Sequence, residues 1–354
     1  MQHRSLMLVA LAAFVLGSCA TPLGHGDAGV YANPVLDADF PDPAVIRAPD
    51  GYYYAYATQA ERDGKWVNIQ LARSADLVNW QHLGDALPAK PEWASKTQDF
   101  WAPHVARRDD TYYLYYSAKP DAALTDDKRG LCLGVATAGG PLGPFVDMGK
   151  PLQCGDGFVN IDPMSFDDPA TGKRLLYWGS GFQPIKVQEL GPDRMSFAPG
   201  SKPIDLIPVI KNDPLKYREL LEGAWVIARN GWYYMFYSGN NCCGKNAHYA
   251  VLVARSRSAT GPFEPLAPNP VILEARGNWV APGHNAIITD ARGTDWMVYH
   301  AVDSRRPRTK ASDEINTRRI LLIDKIVWTD GWPRIEGNGP STGPVRRGPD
   351  RRFR

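Results

Sequence analysis

The sequence is poor in three features, and each shortage excludes a class of protein. It has five cysteines in 354 residues, with no Cys-x-x-Cys pair and no cluster of Cys and His, which argues against a structural zinc site. Its net charge of +2 gives no basic field for nucleic acid, so we expect no nucleic-acid partner and interpret the terminal arginines as a frayed tail. Long segments with helical periodicity are also absent, which argues against a helical or α/β fold.

Aromatic and turn-forming residues are abundant instead. The chain has 11 Trp and 16 Tyr beside 33 Gly and 30 Pro, a composition typical of short strands joined by tight turns. Exposed aromatic faces also suit the binding of sugar rings. With 44 % hydrophobic and 22 % charged residues, the chain is a soluble globular protein rather than a disordered one.

The first 30 residues indicate export. Arg4 precedes an apolar run at residues 6–16 that is too short for a finished membrane span, and the run ends in LGSC at 16–19. This phrase resembles the lipobox of bacterial lipoproteins. We therefore predict a signal peptide at 1–18, a lipid on Cys19, a tether at 19–30 and a protein anchored to a bacterial membrane, periplasmic or at the cell surface. The alternative is an ordinary signal peptide with an incidental cysteine.

The remaining cysteines favour an oxidising compartment. Cys132, Cys154, Cys242 and Cys243 allow three pairings. Cys132 lies on a predicted strand and Cys154 follows the next turn, so we favour Cys132 with Cys154 and Cys242 with Cys243. Two free thiols at 242 and 243 are the alternative to an adjacent-residue disulfide.

A fivefold repeat decides the predicted architecture. A turn followed by a run of aromatic and small residues recurs at 50–56, 110–117, 175–180, 231–238 and 295–300. A further strand precedes each copy, and a strand of alternating character follows most of them. Equal units of three to four short strands are typical of propeller blades, whereas a sandwich needs no equal units. We predict an all-β, five-bladed β-propeller at residues 31–338 and a disordered basic tail at 339–354.

The residues that open the first strand of each unit recur at separations of 60, 60, 60 and 62 positions. They are Asp42, Ala102, Asp162, Glu222 and His284. The innermost strands of a propeller line its central channel, so we expect these side chains to meet at one mouth. Converging carboxylates can serve as general acid and general base across a glycosidic bond. A single Asp before Pro is often mere turn chemistry, but three acids in register with a repeat favour a site.

Six phrases carry a resemblance to glycoside hydrolase family 43. They are PDPAV at 41–45, WAPHV at 101–105, IDP at 161–163, EGA at 222–224, GHNA at 283–286 and RRILL at 318–322. The resemblance implies a five-bladed propeller that hydrolyses arabinose- or xylose-containing plant polysaccharides with inversion. It also implies that Asp42 is the general base, Glu222 the general acid, and Asp162 the residue that tunes and orients the acid. Inversion predicts carboxyl groups of Asp42 and Glu222 about 6.5–9.5 Å apart.

The resemblance implies secondary site residues as well. Trp101 offers a face to the sugar or packs between blades, and Arg318, or its neighbour Arg319, reaches the sugar hydroxyls. His284 faces the channel and, as in some relatives, helps hold a calcium or sodium ion through water. No cofactor is required, and we expect a monomer.

Specificity is predicted from segments near the acid. Residues 179–185, 205–221 and 240–244 flank the predicted channel mouth and would narrow a cleft into a pocket, which favours release of terminal sugars. We therefore predict an exo-acting α-L-arabinofuranosidase or β-xylosidase. The alternatives are an endo-1,5-α-L-arabinanase and, in a different class, a non-catalytic surface lipoprotein that binds glycans. A retaining, fructan-cleaving propeller is disfavoured because it carries Arg-Asp-Pro where this chain has IDP.

Overall fold

The computed structural model describes residues 29–126, 128–179, 181–310 and 317–347. The predicted signal peptide and Cys19 lie outside the described residues. Among those described, no helix has the length and apolarity to cross a bilayer. Apart from short 3-10 turns at Glu92–Ala94, Asp121–Leu124 and Glu336–Asn338, their regular elements are strands.

Most of the strands form five antiparallel sheets in chain order, and two further pairs of strands form two-stranded sheets of their own. After β1 (Val30–Tyr31), blade I contains β2 (Ala44–Arg47), β3 (Tyr53–Ala57), the hairpin β4 (Ala60–Arg62) and β5 (Lys65–Val67), then β6 (Gln70–Ser74) and β7 (Trp80–Asp85). Blade II contains β8 (Phe100–Arg108), β9 (Thr111–Ala118), β10 (Cys132–Ala138), β11 (Val146–Asp147) and β12 (Gln153–Cys154). Blade III contains β13 (Met164–Asp167), β14 (Arg174–Trp178), β15 (Ile185–Glu189) and β16 (Ile204–Ile207).

The last two blades complete the ring. Blade IV contains β17 (Leu221–Arg229), β18 (Trp232–Asn241), β19 (His248–Ser256), β20 (Glu264–Pro265) and β21 (Val271–Leu273). Blade V contains β22 (Trp279–Thr289), β23 (Asp295–Asp303), β24 (Arg319–Thr329) and β25 (Trp332–Ile335), and β26 (Val345–Arg346) follows. The first strands of the blades, β2, β8, β13, β17 and β22, contact one another in a closed circle. The predicted five-bladed propeller is confirmed.

The core lies between the blades, which explains the aromatic repeat. Side chains alternate between the two faces of a strand, and both faces of each second strand are buried. In β3, Tyr54 and Tyr56 pack against blade II, whereas Tyr53 and Ala55 pack against blade V. Five hydrophobic clusters each join two neighbouring blades in this way. A strand that must be apolar on both faces therefore reads as a continuous apolar run.

The C-terminal boundary differs from the one predicted. The sequence predicts a disordered tail from residue 339, but β26 pairs antiparallel with β1, with Val30 opposite Arg346 and Tyr31 opposite Val345. In the segment that precedes β26, the Ser341 carbonyl accepts a hydrogen bond from Trp279 Nε1 at 2.9 Å. Folded chain thus extends at least to residue 347, because its backbone finds partners more than 300 residues away in sequence.

Both predicted cysteine pairs are present as disulfides. Cys132 and Cys154 join β10 to β12 across the edge of blade II. Cys242 and Cys243 are bonded to each other in the loop between β18 and β19. Cys243 lines the large cleft described below.

Candidate active site

Besides Ala281 of β22, which has φ of 48°, each blade contributes one residue with a left-handed backbone at the start of its inner strand. These residues are Asp42, Ala102, Asp162, Gly223 and His284, with φ of 55°, 47°, 57°, 62° and 46°. The spacing in the sequence places Glu222 in this ring, whereas in the structure Gly223, one residue later, occupies the ring position. A left-handed backbone costs a residue with a side chain roughly 1–2 kcal/mol, and glycine adopts it freely. Glu222 itself lies in β17, opposite Ser238 of β18.

Side-chain acceptors in the preceding blade hold these left-handed residues. Four of the five N–H groups donate to the second strand of that blade or to the residue after it: Asp42 to His300 Nδ1 at 3.1 Å, Ala102 to Thr58 Oγ1 at 2.8 Å, Asp162 to Ser117 Oγ at 3.1 Å and His284 to Ser238 Oγ at 2.8 Å. Blade III has Gly179 at the equivalent place, which offers no side chain. There the Gly223 N–H donates to Asp162 Oδ2 at 3.0 Å instead.

Asp42 is a buried carboxylate surrounded by cationic and hydrogen-bonding groups. Arg319 Nη1 donates to its Oδ1 at 2.8 Å, and the Thr58 hydroxyl donates to its Oδ2 at 2.6 Å. Nδ1 of His284 lies 3.6 Å from Oδ1 and Nδ1 of His300 lies 3.3 Å from it. Burial alone raises the pKa of Asp42, but the charge of Arg319, the largest opposing effect, outweighs it and holds this pKa well below its usual range, with smaller contributions from His284 and His300 when they are protonated at low pH. Asp42 is therefore ionised at neutral pH, as a general base must be.

Asp162 has the opposite electrostatic environment. Burial first, then the charges of Glu222 and Asp42, raise the pKa of Asp162 well above its usual range, and the Gly223 N–H offsets only part of this. Asp162 and Glu222 are both buried and repel each other as anions, so the pair retains a proton when Asp42 has lost its own. The hydrogen bond from Gly223 also ties Asp162 to the residue that follows Glu222.

Glu222 accepts a hydrogen bond from a residue that the sequence analysis did not identify. The Tyr249 hydroxyl donates to Glu222 Oε1 at 2.7 Å, and Tyr249 is buried in β19. Burial, then the neighbouring carboxylates, raise the pKa of Tyr249 well above its usual range, so it remains a phenol. Glu222 lies two strands from Tyr249 in blade IV, and no spacing in the sequence marks that contact.

The channel-facing histidines are neutral at physiological pH. Burial lowers the pKa of His300 to about 4, and it lowers the pKa of His284 despite the attraction of Asp42. Because Nδ1 of His300 accepts the Asp42 N–H, its proton is assigned to Nε2. Nδ1 of His284 lies 3.7 Å from Asp162 Oδ2 as well, so this imidazole stands between two of the three acids.

The predicted ion at His284 stays a prediction. The described residues contain no group of three His, Cys, Asp or Glu side chains arranged to bind a metal directly. A cavity of about 10 Å³ lies along the channel against Asp162, His284 and Asn285, which is the volume of roughly one water. Both side-chain polar atoms of Asn285 are buried without a protein partner there, so the cavity is suited to an ordered water.

An open cleft of about 670 Å³ lies beside Asp42 and reaches Pro41, Thr58 and Arg319. Trp101 and Arg318 line it, so both predicted sugar contacts face the cleft, whereas His284 lines the channel instead. Arg318 pairs with Asp37, and it is Arg319 that contacts the carboxylate of Asp42. Trp66 of the β4–β5 hairpin lines the same cleft and is 56 % exposed.

These features define a class of enzyme. An ionised carboxylate, a buried acid pair that keeps a proton and an adjoining cleft with aromatic walls form the site of a glycoside hydrolase. The family model of glycosyl hydrolases family 43 matches residues 31–333, and the chain belongs to this family. The resemblance noted in the sequence is thus confirmed, and the protein is a hydrolase of O-glycosidic bonds.

Relatives of the chain differ in their named substrates. A protein of Aspergillus fumigatus named probable arabinan endo-1,5-alpha-L-arabinosidase A is 28 % identical over 91 % of this chain and 98 % of its own. The beta-D-galactofuranosidase xynD of Aspergillus niger is 28 % identical over 88 % and 85 %. A xylan 1,3-beta-xylosidase of a Vibrio species is 26 % identical over 86 % of this chain, which spans 57 % of that relative.

A solved structure supports the fold. The crystal structure of a thermostable family-43 glycoside hydrolase superposes with a TM-score of 0.71 at 27 % identity, covering 92 % of this chain and 100 % of that one.

Proposed function

We propose that the protein is an inverting, exo-acting α-L-arabinofuranosidase that removes terminal sugars from arabinose-containing plant oligosaccharides. The observation that carries the proposal is the division of the acids into an ionised Asp42, held by Arg319, and a proton-retaining pair of Asp162 and Glu222. Acid and base are thereby prepared in opposite protonation states before substrate binds.

The reaction proceeds by one displacement. Asp42 takes a proton from a water molecule, whose oxygen attacks the anomeric carbon. Glu222 gives its proton to the glycosidic oxygen as the bond from that oxygen to the anomeric carbon breaks. Asp162 keeps Glu222 protonated through like-charge repulsion and fixes its backbone through Gly223. The expected separation of 6.5–9.5 Å between the Asp42 and Glu222 carboxyl groups belongs to this proposal.

The cleft supports exo action. It is lined by the β4–β5 hairpin, by Cys243, Thr309 and Lys310, and by Arg319. Lys310 Nζ lies 2.6 Å from Glu61 Oε2 of the hairpin, so an ion pair joins two of the segments that line the cleft. A cleft whose lining segments are joined in this way favours one chain end over a continuous polysaccharide. Trp101 would stack on the terminal sugar, Arg318 would bind its hydroxyls, and Trp66 would contact the leaving portion.

Relatives favour two further substrates. An endo-1,5-α-arabinanase activity is favoured by the name of the Aspergillus fumigatus relative, and a β-xylosidase activity by the name of the Vibrio relative. The furanose substrate in the name of the Aspergillus niger relative favours arabinofuranose over xylopyranose. A lipid on Cys19 would place the enzyme at a membrane, where oligosaccharides arrive after larger polymers have been cut.

Product analysis tests the proposal. Arabino-oligosaccharides are incubated with the soluble chain from Ala20 onward, with Glu222→Gln as the matched inactive variant, and products are separated by chromatography. Release of arabinose together with an oligosaccharide one sugar shorter, with the inverted anomer seen first by NMR, supports the proposal. Products shorter by two or more sugars from the start of the reaction, with little free arabinose, indicate an endo enzyme instead. Cleavage of xylo-oligosaccharides alone indicates a xylosidase, and binding without any cleavage indicates a glycan-binding protein.

A further inference from the structure

Tyr249 is a buried phenol with a defined partner at the centre of the site. Its side chain is 1 % exposed, and its hydroxyl donates to Glu222 Oε1 at 2.7 Å. Tyr249 has no role in the reaction as described so far, which involves Asp42, Asp162 and Glu222. A buried hydroxyl aimed at a general acid from the protein side affects how that acid behaves in the proton transfer.

Packing against blade V fixes the ring of Tyr249. One face lies parallel to the His300 imidazole, with ring centres 5.8 Å apart and planes 9° from parallel. The backbone of Gly283 approaches the ring so closely that a Cβ there would overlap it. Ala281 and Val302 enclose the ring further, and Cys242 packs against the same cluster. The hydroxyl therefore has little freedom to leave Glu222.

The same arrangement links the acid to the base. His300, which stacks on Tyr249, accepts the N–H of Asp42 through Nδ1. A displacement of the Tyr249 ring would thus shift the positions of both catalytic carboxyl groups, that of Glu222 directly and that of Asp42 through His300. Blades I, II and IV place Thr or Ser where blade V has His300, and blade III places glycine there; none of these residues would offer a flat surface to the phenol.

We propose that Tyr249 is a positioning residue for the general acid, an inference that rests on the proposed role of Glu222. Because Oε1 accepts from the phenol, the proton to be transferred is carried on Oε2. As that proton passes to the glycosidic oxygen and the bond to the leaving sugar breaks, negative charge develops on the Glu222 carboxylate. The hydrogen bond from Tyr249 then becomes a charge-assisted one and stabilises the carboxylate.

The inference predicts a dependence on the leaving group. A sugar is a poor leaving group and needs the proton, whereas 2,4-dinitrophenolate leaves without it. Tyr249→Phe removes only the hydroxyl, and we expect its kcat on arabinobiose to fall about 10- to 100-fold, the worth of a hydrogen bond to a charged group. KM should change little. With 2,4-dinitrophenyl α-L-arabinofuranoside, which needs no acid, kcat should stay within about twofold of the wild type.

A matched control is available on the neighbouring strand. Tyr237 in β18 is fully buried, and its hydroxyl has no hydrogen-bond partner among the described residues. Tyr237→Phe removes a similar atom from the same blade and should leave both substrates unaffected. Retained activity of Tyr249→Phe on the dinitrophenyl glycoside also shows that the variant is folded.

Three outcomes overturn the inference. An equal loss on both substrates would assign Tyr249 a structural role only. A Tyr249→Phe enzyme as active as the wild type on arabinobiose would show that the hydrogen bond does not assist the acid. If the wild type itself cleaves neither substrate, the proposed function fails first and the inference with it, so the two failures are distinguished by the wild-type assay.

Discussion

Removal of the Arg319 charge should move the acidic limb of the pH–activity profile upward. Arg319 Nη1 lies 2.8 Å from Asp42 Oδ1, and the two side chains are 14 % and 10 % exposed. Burial raises the pKa of Asp42, and Arg319 is the largest group that opposes it. An opposite charge at this range lowers a carboxyl pKa by about 1–3 units. In Arg319→Met the limb of kcat/KM, which reports the free base, should therefore rise by about 1–3 pH units.

The assay is kcat/KM from pH 3 to 8 on an arabino-oligosaccharide. Arg319→Lys retains a positive charge, so its limb should lie closer to the wild type than that of Arg319→Met. Arg318→Met is the control for position, because Arg318 pairs with Asp37 and its loss should change KM without moving the limb. Breaking a buried ion pair costs about 3–5 kcal/mol, so thermal melting accompanies each profile. An unmoved limb in a folded Arg319→Met enzyme would refute the assignment of Asp42 as a base poised by Arg319.

Three further perturbations test other parts of the site. Thr58→Val removes the donor to Asp42 Oδ2 and the acceptor of the Ala102 N–H, so the free energy of unfolding in urea should fall by about 2–6 kcal/mol. In the wild type the folded-state pKa of Asp162 is raised, so the wild type loses stability as pH rises above the ordinary carboxyl pKa of about 4. The side chain of Asp162→Asn cannot ionise, so the variant lacks this loss. The Tm of Asp162→Asn relative to the wild type should thus increase from pH 5 to pH 9 while activity falls. Trp66→Ala should raise KM for arabinotriose about 2- to 10-fold and leave aryl glycosides unaffected.

Each of these has an internal control. Thr58→Ser keeps the hydroxyl and should recover most of the lost stability. A Tm difference for Asp162→Asn that does not vary with pH would mean that the pair of Asp162 and Glu222 does not keep a proton in the folded protein. Trp66→Phe keeps an aromatic ring, so a KM as high as that of Trp66→Ala would argue against stacking on the sugar.

The sequence allowed the fold to be predicted because its signal is local and repeated. Alternate tyrosines of β3 face different neighbouring blades, so the requirement for burial on both sides is visible in a few consecutive residues. The C-terminal boundary was missed because β26 is held by β1, and a two-residue strand carries no periodicity of its own. Spacing of the acids was sufficient to bring Asp42 and Asp162 to one ring.

Contacts within the site were harder to predict from the sequence than the fold. The choice between Arg318 and Arg319 depends on which face of β24 points inward, and adjacent residues in a strand point opposite ways. Tyr249 reaches Glu222 across β18, a relationship fixed by two strand registers. His300 did carry a signal, since it ends the aromatic repeat, and three of the other four copies end in Ser.

The active site arises where the propeller departs from its own symmetry. All five inner strands start with a left-handed residue, yet only two of the five ring positions carry a carboxylate. Blade II has Ala102 there and contributes no titratable group. In blade IV glycine takes the left-handed position, which frees Glu222 to remain in the strand opposite Ser238 and to accept from Tyr249. Because Gly179 offers no hydroxyl, Asp162 must hold Gly223 itself. Because blade III lacks a side-chain acceptor, the Gly223 N–H bonds to Asp162, and this bond links Asp162 to Glu222, the two acids that share a proton. The base, Asp42, is held separately, because its N–H donates to His300 of blade V.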